Sequence, residues 1–148
     1  MDALKLLEQQ HDEAKALFKQ IEKASDARAG QLWTKLKDAL TLHEAIEEKH
    51  LYPPLKEEKL TEDIVLEAYE EHHVMDVLIE EISALNPSDE TWHPKVKVLQ
   101  ENTEHHIEEE QDELFPKVRK VWDVKKREEI GKRMQAMVTK AEGSKKAA

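Results

Sequence analysis

The chain contains the stretch HEAIEEKHLYP at residues 43–53 and a matching stretch, HIEEEQDELFP, at residues 106–116. Aligning them superimposes a His and a Glu four residues apart, followed by a Leu, an aromatic residue and a Pro: His43 with His106, Glu47 with Glu110, Leu51 with Leu114, Tyr52 with Phe115, and Pro53 with Pro116. Residues four positions apart lie above one another on a helix. Each copy can therefore offer an imidazole nitrogen and a carboxylate to a metal site.

The composition predicts helices. The 148 residues include 39% hydrophobic and 38% charged residues but only three Gly, and they are rich in Glu, Lys, Leu and Ala. That mixture favours long helices, and the β-branched residues are too scattered for alternating strands. We expect one all-α domain, large enough to bury a core.

Charge and hydropathy exclude several classes of function. The net charge of −10 disfavours binding to nucleic acid or to anionic membrane surfaces. The absence of Cys excludes disulfides, thiolate metal sites and Cys nucleophiles. There is neither an apolar run of membrane-spanning length nor a signal-peptide core at the N-terminus, so we expect a soluble cytoplasmic protein, a monomer or a weak homo-oligomer.

Apolar periodicity and helix-breaking residues predict five helices. The first runs from about Asp2 to about Ala24, and a turn covers residues 25–30. The others are a second helix from near Gln31 to a break or kink at Pro53–Pro54, a third from Thr61 to about Leu85, a fourth that starts between Ser88 and Pro94 and is kinked at Pro116, and a fifth, capped by Asp123, that ends near Ala141. We expect a domain over residues 1–141 and a flexible tail at 142–148.

The first and third helices are also copies of each other. A shift of 61 positions places the apolar residues on one face of the first helix on apolar residues of the third helix, and it places His11 on His72. The chain is therefore a duplicated helical hairpin. Short turns make neighbouring helices antiparallel, which predicts an up-down-up-down four-helix bundle followed by a short fifth helix.

Six polar residues interrupt the inward stripes of the four helices at similar depth: His11, His43, Glu47, His72, His106 and Glu110. Burial of unpartnered polar groups costs several kcal/mol, so their convergence predicts a metal site. Two ions about 3.5–4 Å apart, bridged by the carboxylates, suit two symmetric halves. Imidazole and carboxylate ligands without thiolate favour iron or manganese over zinc. His105 could pair with Glu109 at the same spacing, and only the match to the first copy selects His106.

At these residues the chain resembles the hemerythrin-like, or HHE cation-binding, family. The matching pattern is His11, His43 with Glu47, His72, and His106 with Glu110, and the variant is similar to that of the mycobacterial hemerythrin-like proteins. The resemblance implies a μ-oxo or hydroxo bridged centre of two Fe ions, with Zn or Mn as substitutes. It also implies catalase-like or nitric-oxide-related chemistry on O2, H2O2 or NO.

One departure from the family separates this chain from the oxygen-carrying members. Those proteins have a second His one turn further along the third helix, where this chain has Asp76. Asp76 is therefore a candidate extra ligand, and His50 and Tyr52 are candidates for contact with the site. Peroxide disproportionation is the leading hypothesis. Reversible O2 or NO binding, iron or oxygen sensing, storage, and a helical bundle without native metal function, its polar core filled by zinc or water, remain as alternatives.

Overall fold

The computed structural model describes residues 1–147, and every regular element among them is helical, which confirms the predicted fold class. The elements in chain order are α1 (Ala3–Lys23), α2 (Asp26–Ile46), a first π turn (Glu47–Leu51), α3 (Tyr52–Lys56), α4 (Glu62–Ser83), α5 (Trp92–Glu109), a second π turn (Glu110–Leu114), α6 (Phe115–Val121) and α7 (Val124–Ala147). The first hairpin pairs α1 with α2, the second pairs α4 with α5, and α1 packs against α5. None of these helices is both long and apolar enough to cross a membrane.

The second helix begins at Asp26, five residues before the predicted start at Gln31. The predicted turn over residues 25–30 is therefore wrong. The Ser25 side chain caps the helix by accepting a hydrogen bond from the backbone N–H of Arg28, at 3.4 Å. Gly lowers the stability of a helix by about 1 kcal/mol relative to Ala. Gly30 nevertheless lies within α2, close to the turn of the second hairpin, where a Cβ would be 3.4 Å from Pro87.

The Pro53–Pro54 pair and Pro116 do not end the helical course of the chain, because a π turn precedes each of these two sites. The backbone N–H of Tyr52 donates to the carbonyl of Glu47, and that of Phe115 donates to the carbonyl of Glu110. Pro lacks an N–H, and its ring crowds the carbonyl four residues earlier, so a wider turn accommodates it. Such turns are frequent at functional sites.

The fifth helix is longer than predicted. It continues to Ala147, so residues 142–147, expected to form a tail after Ala141, are helical; Ala148 lies outside the described residues. The helix starts where expected, and Asp123 accepts a hydrogen bond from Lys126 N–H at 2.8 Å. It packs closely on the N-terminus, because a Cβ at Gly131 would collide with the backbone of Met1.

The core consists of two apolar clusters with the polar layer between them. One cluster contains Leu7, Tyr52 and Phe115, and the other contains Phe18 and Leu40. The six polar residues predicted from the sequence to be buried lie between those two clusters along the bundle axis. Apolar packing on both sides thus holds the polar groups away from water.

Candidate metal centre

The six predicted ligand residues meet in the bundle core, and none is more than 6% exposed. Their ligand atoms form two groups, within each of which all atoms lie within 4.8 Å of one another. The first group is His11, His43, Glu47 and Glu110, and the second is Glu47, His72 and His106. We call the pair His11 and His43 the first half-site and the pair His72 and His106 the second half-site; each pair comes from one hairpin.

Both carboxylates lie between the half-sites. Glu47 Oε1 is 3.2 Å from His43 Nε2 in the first half-site and 3.0 Å from His72 Nε2 in the second. Glu110 Oε1 is 3.1 Å from His11 Nε2, and Glu110 Oε2 is 3.5 Å from His106 Nε2. Each carboxylate therefore faces imidazoles from both hairpins, which is the position that a bridging ligand would need.

Each imidazole is held from behind by a second residue. The Nδ1 atoms of His11 and His43 are each 2.7 Å from an amide oxygen, that of Gln111 and that of Gln10. Because these oxygens accept hydrogen bonds, each Nδ1 carries a hydrogen, and Nε2 is the nitrogen that faces the centre. Such partners fix the orientation of a metal-binding imidazole.

In the second half-site the equivalent partners are carboxylates. His72 Nδ1 is 3.1 Å from Glu48 Oε2, and His106 Nδ1 is 2.7 Å from Glu71 Oε1. A carboxylate partner makes an imidazole a more basic ligand than an amide partner does. The two half-sites therefore differ in charge although their imidazoles are related by the repeat.

Helix periodicity does not identify these four partners, although the internal repeat places them at equivalent positions in the two hairpins. Gln10 precedes His11 as Glu71 precedes His72, and Glu48 follows Glu47 as Gln111 follows Glu110. Each partner thus adjoins one ligand candidate in sequence. It holds an imidazole on a different helix, which only the packing reveals.

Tyr52, a further candidate from the sequence, reaches the centre. Its hydroxyl lies 2.8 Å from Glu110 Oε2, to which it donates, and 3.1 Å from Glu47 Oε1. Burial, reinforced by the charges of these two carboxylates, raises the pKa of Tyr52 well above its ordinary value, so the phenol keeps its proton. The equivalent residue, Phe115, has no hydroxyl and stacks on His11 with ring centroids 6.1 Å apart.

The first π turn brings Tyr52 to this place. In an α-helix, residue 52 would lie about 140° around the axis from residue 47. The extra residue in the π turn returns Tyr52 to the side of Glu47. The sequence predicts a kink at Pro53, but it does not predict which way the turn directs the ring.

Asp76 and His50 lie outside both groups of converging ligand atoms. Asp76 is exposed and pairs with Glu44, a buried residue whose pKa is raised to about 10 by burial and by its hydrogen bond and repulsion with Asp76. Glu44 is therefore a neutral carboxyl group at neutral pH. For His50, burial and the positive charges of Lys49 and Arg133 lower the pKa.

The structure also separates the adjacent His pairs as predicted. The side chain of His105 is 63% exposed and contacts Glu109 at 3.2 Å, whereas His106 is buried in the centre. His73 is likewise exposed, next to the buried His72. Glu71, His105 and Glu109 form a third converging group at the surface.

The charges and unpartnered atoms of the centre suit a cation. His43 Nε2 and Glu47 Oε2 are buried without a hydrogen-bond partner among the described residues. Burial lowers the pKa of His43, but Glu47 and Glu110 outweigh it and raise that pKa to about 9. The buried carboxylates are therefore stabilised by positive charge at this place. A metal ion would supply that charge and would also bond to the unpartnered atoms.

The fold and the site define a class, the four-helix bundles with a buried layer of His and Glu side chains that could hold cations. Within that class, the model of the Hemerythrin HHE cation binding domain matches residues 2–118. The chain belongs to the hemerythrin HHE cation-binding domain family.

Two relatives agree with this placement to different extents. The crystal structure of a hemerythrin HHE cation binding domain-containing protein from Mycobacterium kansasii matches with a TM-score of 0.85 and 22% identity, covering 97% of this chain and 89% of that one. That similarity concerns the fold. A protein of Nostoc sp. named DNA nickase is 28% identical over an alignment of 124 residues that covers 80% of this chain and 34% of the relative. The chain therefore spans about a third of that relative.

Proposed function

We propose that the chain is a non-haem di-iron protein that disproportionates H2O2. His11 and His43 would hold one ion, His72 and His106 the other, and Glu47 and Glu110 would bridge them. The observation that carries the proposal is that both carboxylates face imidazoles from both half-sites. The nitrogen and oxygen donors favour iron, with manganese or zinc as substitutes.

In this reaction one H2O2 loses two electrons and two protons and leaves as O2, while a second H2O2 takes up both and becomes two waters. Bound iron supplies the change of oxidation state that couples the two halves. The two protons that the first H2O2 releases are the two that the second takes up. Tyr52 keeps its own proton and donates a hydrogen bond to Glu110 Oε2, so its role would be to hold that carboxylate in place within the buried centre.

Burial of the centre restricts the substrate. The residues facing it are almost fully enclosed, so only a molecule of a few atoms can reach it without opening the bundle. Hydrogen peroxide, O2 and NO meet this condition. Exclusion of bulk water also strengthens electrostatic interactions within the site.

The test measures iron content and O2 release together. Wild-type protein loaded with ferrous iron in the absence of O2 and then freed of excess iron is expected to hold two irons per chain and to release O2 from H2O2. Glu47→Gln is expected to lose most of this activity because a bridging charge is removed. Glu113→Gln, at an exposed position of the second π turn, is the matched control and should behave as wild type.

Two results would contradict the proposal. Fewer than one iron per chain would remove the metal centre. Two irons with no O2 release above that of free iron would instead favour the second candidate, reversible binding of O2 or NO. The partly apolar cavity beside His11 and His43 supports that candidate, and a stable, reversible spectrum of the reduced protein with O2 or NO would identify it.

The remaining expectations about partners stay predictions: no nucleic acid, no membrane, a monomer or weak homo-oligomer, and a cytoplasmic location. The relative named DNA nickase is about three times as long as the matched part, since this chain covers 34% of it. That name therefore supports no proposal of DNA nicking by this chain. A net charge of −10 would also repel a phosphate backbone.

A further inference from the structure

A small internal cavity adjoins the candidate metal centre. Imidazoles of His43 and His106 form part of its wall, and Ala14, Leu40 and other apolar side chains form much of the rest. The volume open to the centre of a water molecule is about 10 Å³, which is close to the least space that holds one water. The cavity therefore has room for the outer one or two heavy atoms of a small ligand whose other end binds at the metal position beside the imidazoles.

Thr103 contributes a hydroxyl to this cavity. Its side chain lies on the cavity wall and is 2% exposed. It precedes His106 by three residues, so the two side chains lie on the same face of α5. Gln10 is the other polar side chain of this wall besides the imidazoles, and its amide oxygen is already engaged with His43 Nδ1.

The Thr103 hydroxyl has no hydrogen-bond partner among the described residues. A Thr inside a helix commonly satisfies its hydroxyl by bonding to the carbonyl four residues earlier, which here would be that of Leu99. A buried hydroxyl without a partner destabilises the fold. An apolar residue of the same shape would serve packing better, so the hydroxyl has no structural benefit in the empty protein.

We propose that Thr103 is the hydrogen-bond donor for the small ligand that enters this cavity and binds at the centre. The ligand class is a small oxygen or nitrogen species with an acceptor atom, such as peroxide. The proposal rests on the proposed function, since the ligand needs one of the two metal ions, held in part by His43 or by His106. The hydroxyl would then orient the ligand and favour species that accept a hydrogen bond.

Azide is the probe, because it is small, accepts hydrogen bonds and gives visible absorption on ferric iron. Thr103→Val keeps the shape and removes the hydroxyl, whereas Thr103→Ser keeps the hydroxyl. With two irons per chain in each variant, Thr103→Val is expected to bind azide about tenfold more weakly than wild type, equivalent to about 1.4 kcal/mol. Thr103→Ser should stay within about threefold of wild type.

A second readout uses the metal-free protein. Removal of an unpartnered hydroxyl should leave the unfolding midpoint of Thr103→Val equal to that of wild type or raise it by about 2–4 °C. Thr61→Val is the matched control, because the buried Thr61 hydroxyl donates to the carbonyl of Leu55. That variant should melt below wild type and, when loaded with iron, should bind azide normally.

Two outcomes overturn the proposal. Unchanged azide affinity in fully loaded Thr103→Val would show that the hydroxyl does not touch the ligand. Destabilised metal-free Thr103→Val, to the extent seen for Thr61→Val, would show that the hydroxyl serves the fold. A wild-type protein that takes up no iron would overturn the proposed function itself, and this inference with it.

Discussion

Replacement of Tyr52 by Phe removes one hydroxyl from the centre and leaves the packed ring in place. The hydroxyl donates to Glu110 Oε2 at 2.8 Å, whereas His106 Nε2 lies 3.5 Å from the same oxygen. Glu110 Oε2 is then left in the core without a good hydrogen bond. In contrast, Glu47 Oε1 keeps His72 Nε2 at 3.0 Å, so the loss falls mainly on Glu110.

The expected cost follows from that single lost bond. A hydrogen bond to a charged group contributes about 1.5–3 kcal/mol. For a chain of this length each kcal/mol corresponds to a shift of about 2–4 °C in the melting temperature. Metal-free Tyr52→Phe should therefore melt about 3–12 °C below metal-free wild type.

The assay is thermal unfolding of the metal-free protein, followed by far-ultraviolet circular dichroism at neutral pH. Tyr69→Phe is the matched control, because the half-buried Tyr69 ring contacts that of Tyr52 at a centroid distance of 5.1 Å. Its own hydroxyl has no hydrogen bond within the described chain, so a change of at most about 0.5 kcal/mol is expected. Equal melting temperatures of the two variants would refute the assignment of the Tyr52 hydroxyl to Glu110.

Three other predictions use the same molecule. Elemental analysis of His106→Ala should find at most one iron per chain, whereas the variant of exposed His105 should keep two; equal contents would reverse the choice within this pair. Glu44→Gln should be more stable than wild type at pH 8, by about 1–3 kcal/mol in urea unfolding, and equal to it near pH 4.5. The pKa of Glu44 is about 10 in the folded protein, compared with an ordinary value of 4.5. Between pH 4.5 and pH 10 the unfolded chain therefore loses a proton that the folded chain keeps, so the stability of the wild type falls as pH rises through this range. A lower stability of the variant at pH 8 would contradict this. Ala39 lines both the internal cavity and a surface groove of about 340 Å³, so Ala39→Leu should slow azide entry about tenfold in stopped-flow measurements with little change in affinity; unchanged entry would place the route elsewhere.

Local helix signals explain where the prediction of element boundaries succeeded and failed. The capping residue Asp123 was identified because an N-cap depends on neighbours in sequence. The start of α2 differs from the prediction because Gly30 is typical of a turn, whereas here it lies within the helix, in contact range of Pro87 in the other hairpin. Helix α7 continues past the predicted end at Ala141, because the helix formers around Gly143 and Ser144 outweigh the low helix propensity of these two residues.

The sequence by itself determined the four-helix order and the six residues that converge in the core. Helix periodicity decides which side chains share a face, and the repeat selects His106 over His105. Only the tertiary structure decided what surrounds them: Gln10 and Glu71 hold imidazoles of other helices, Tyr52 enters the centre, and Asp76 pairs with Glu44. These contacts join different helices, or depend on a π turn that shifts the facing residue by one position. Packing sets both, and periodicity along one helix does not encode them.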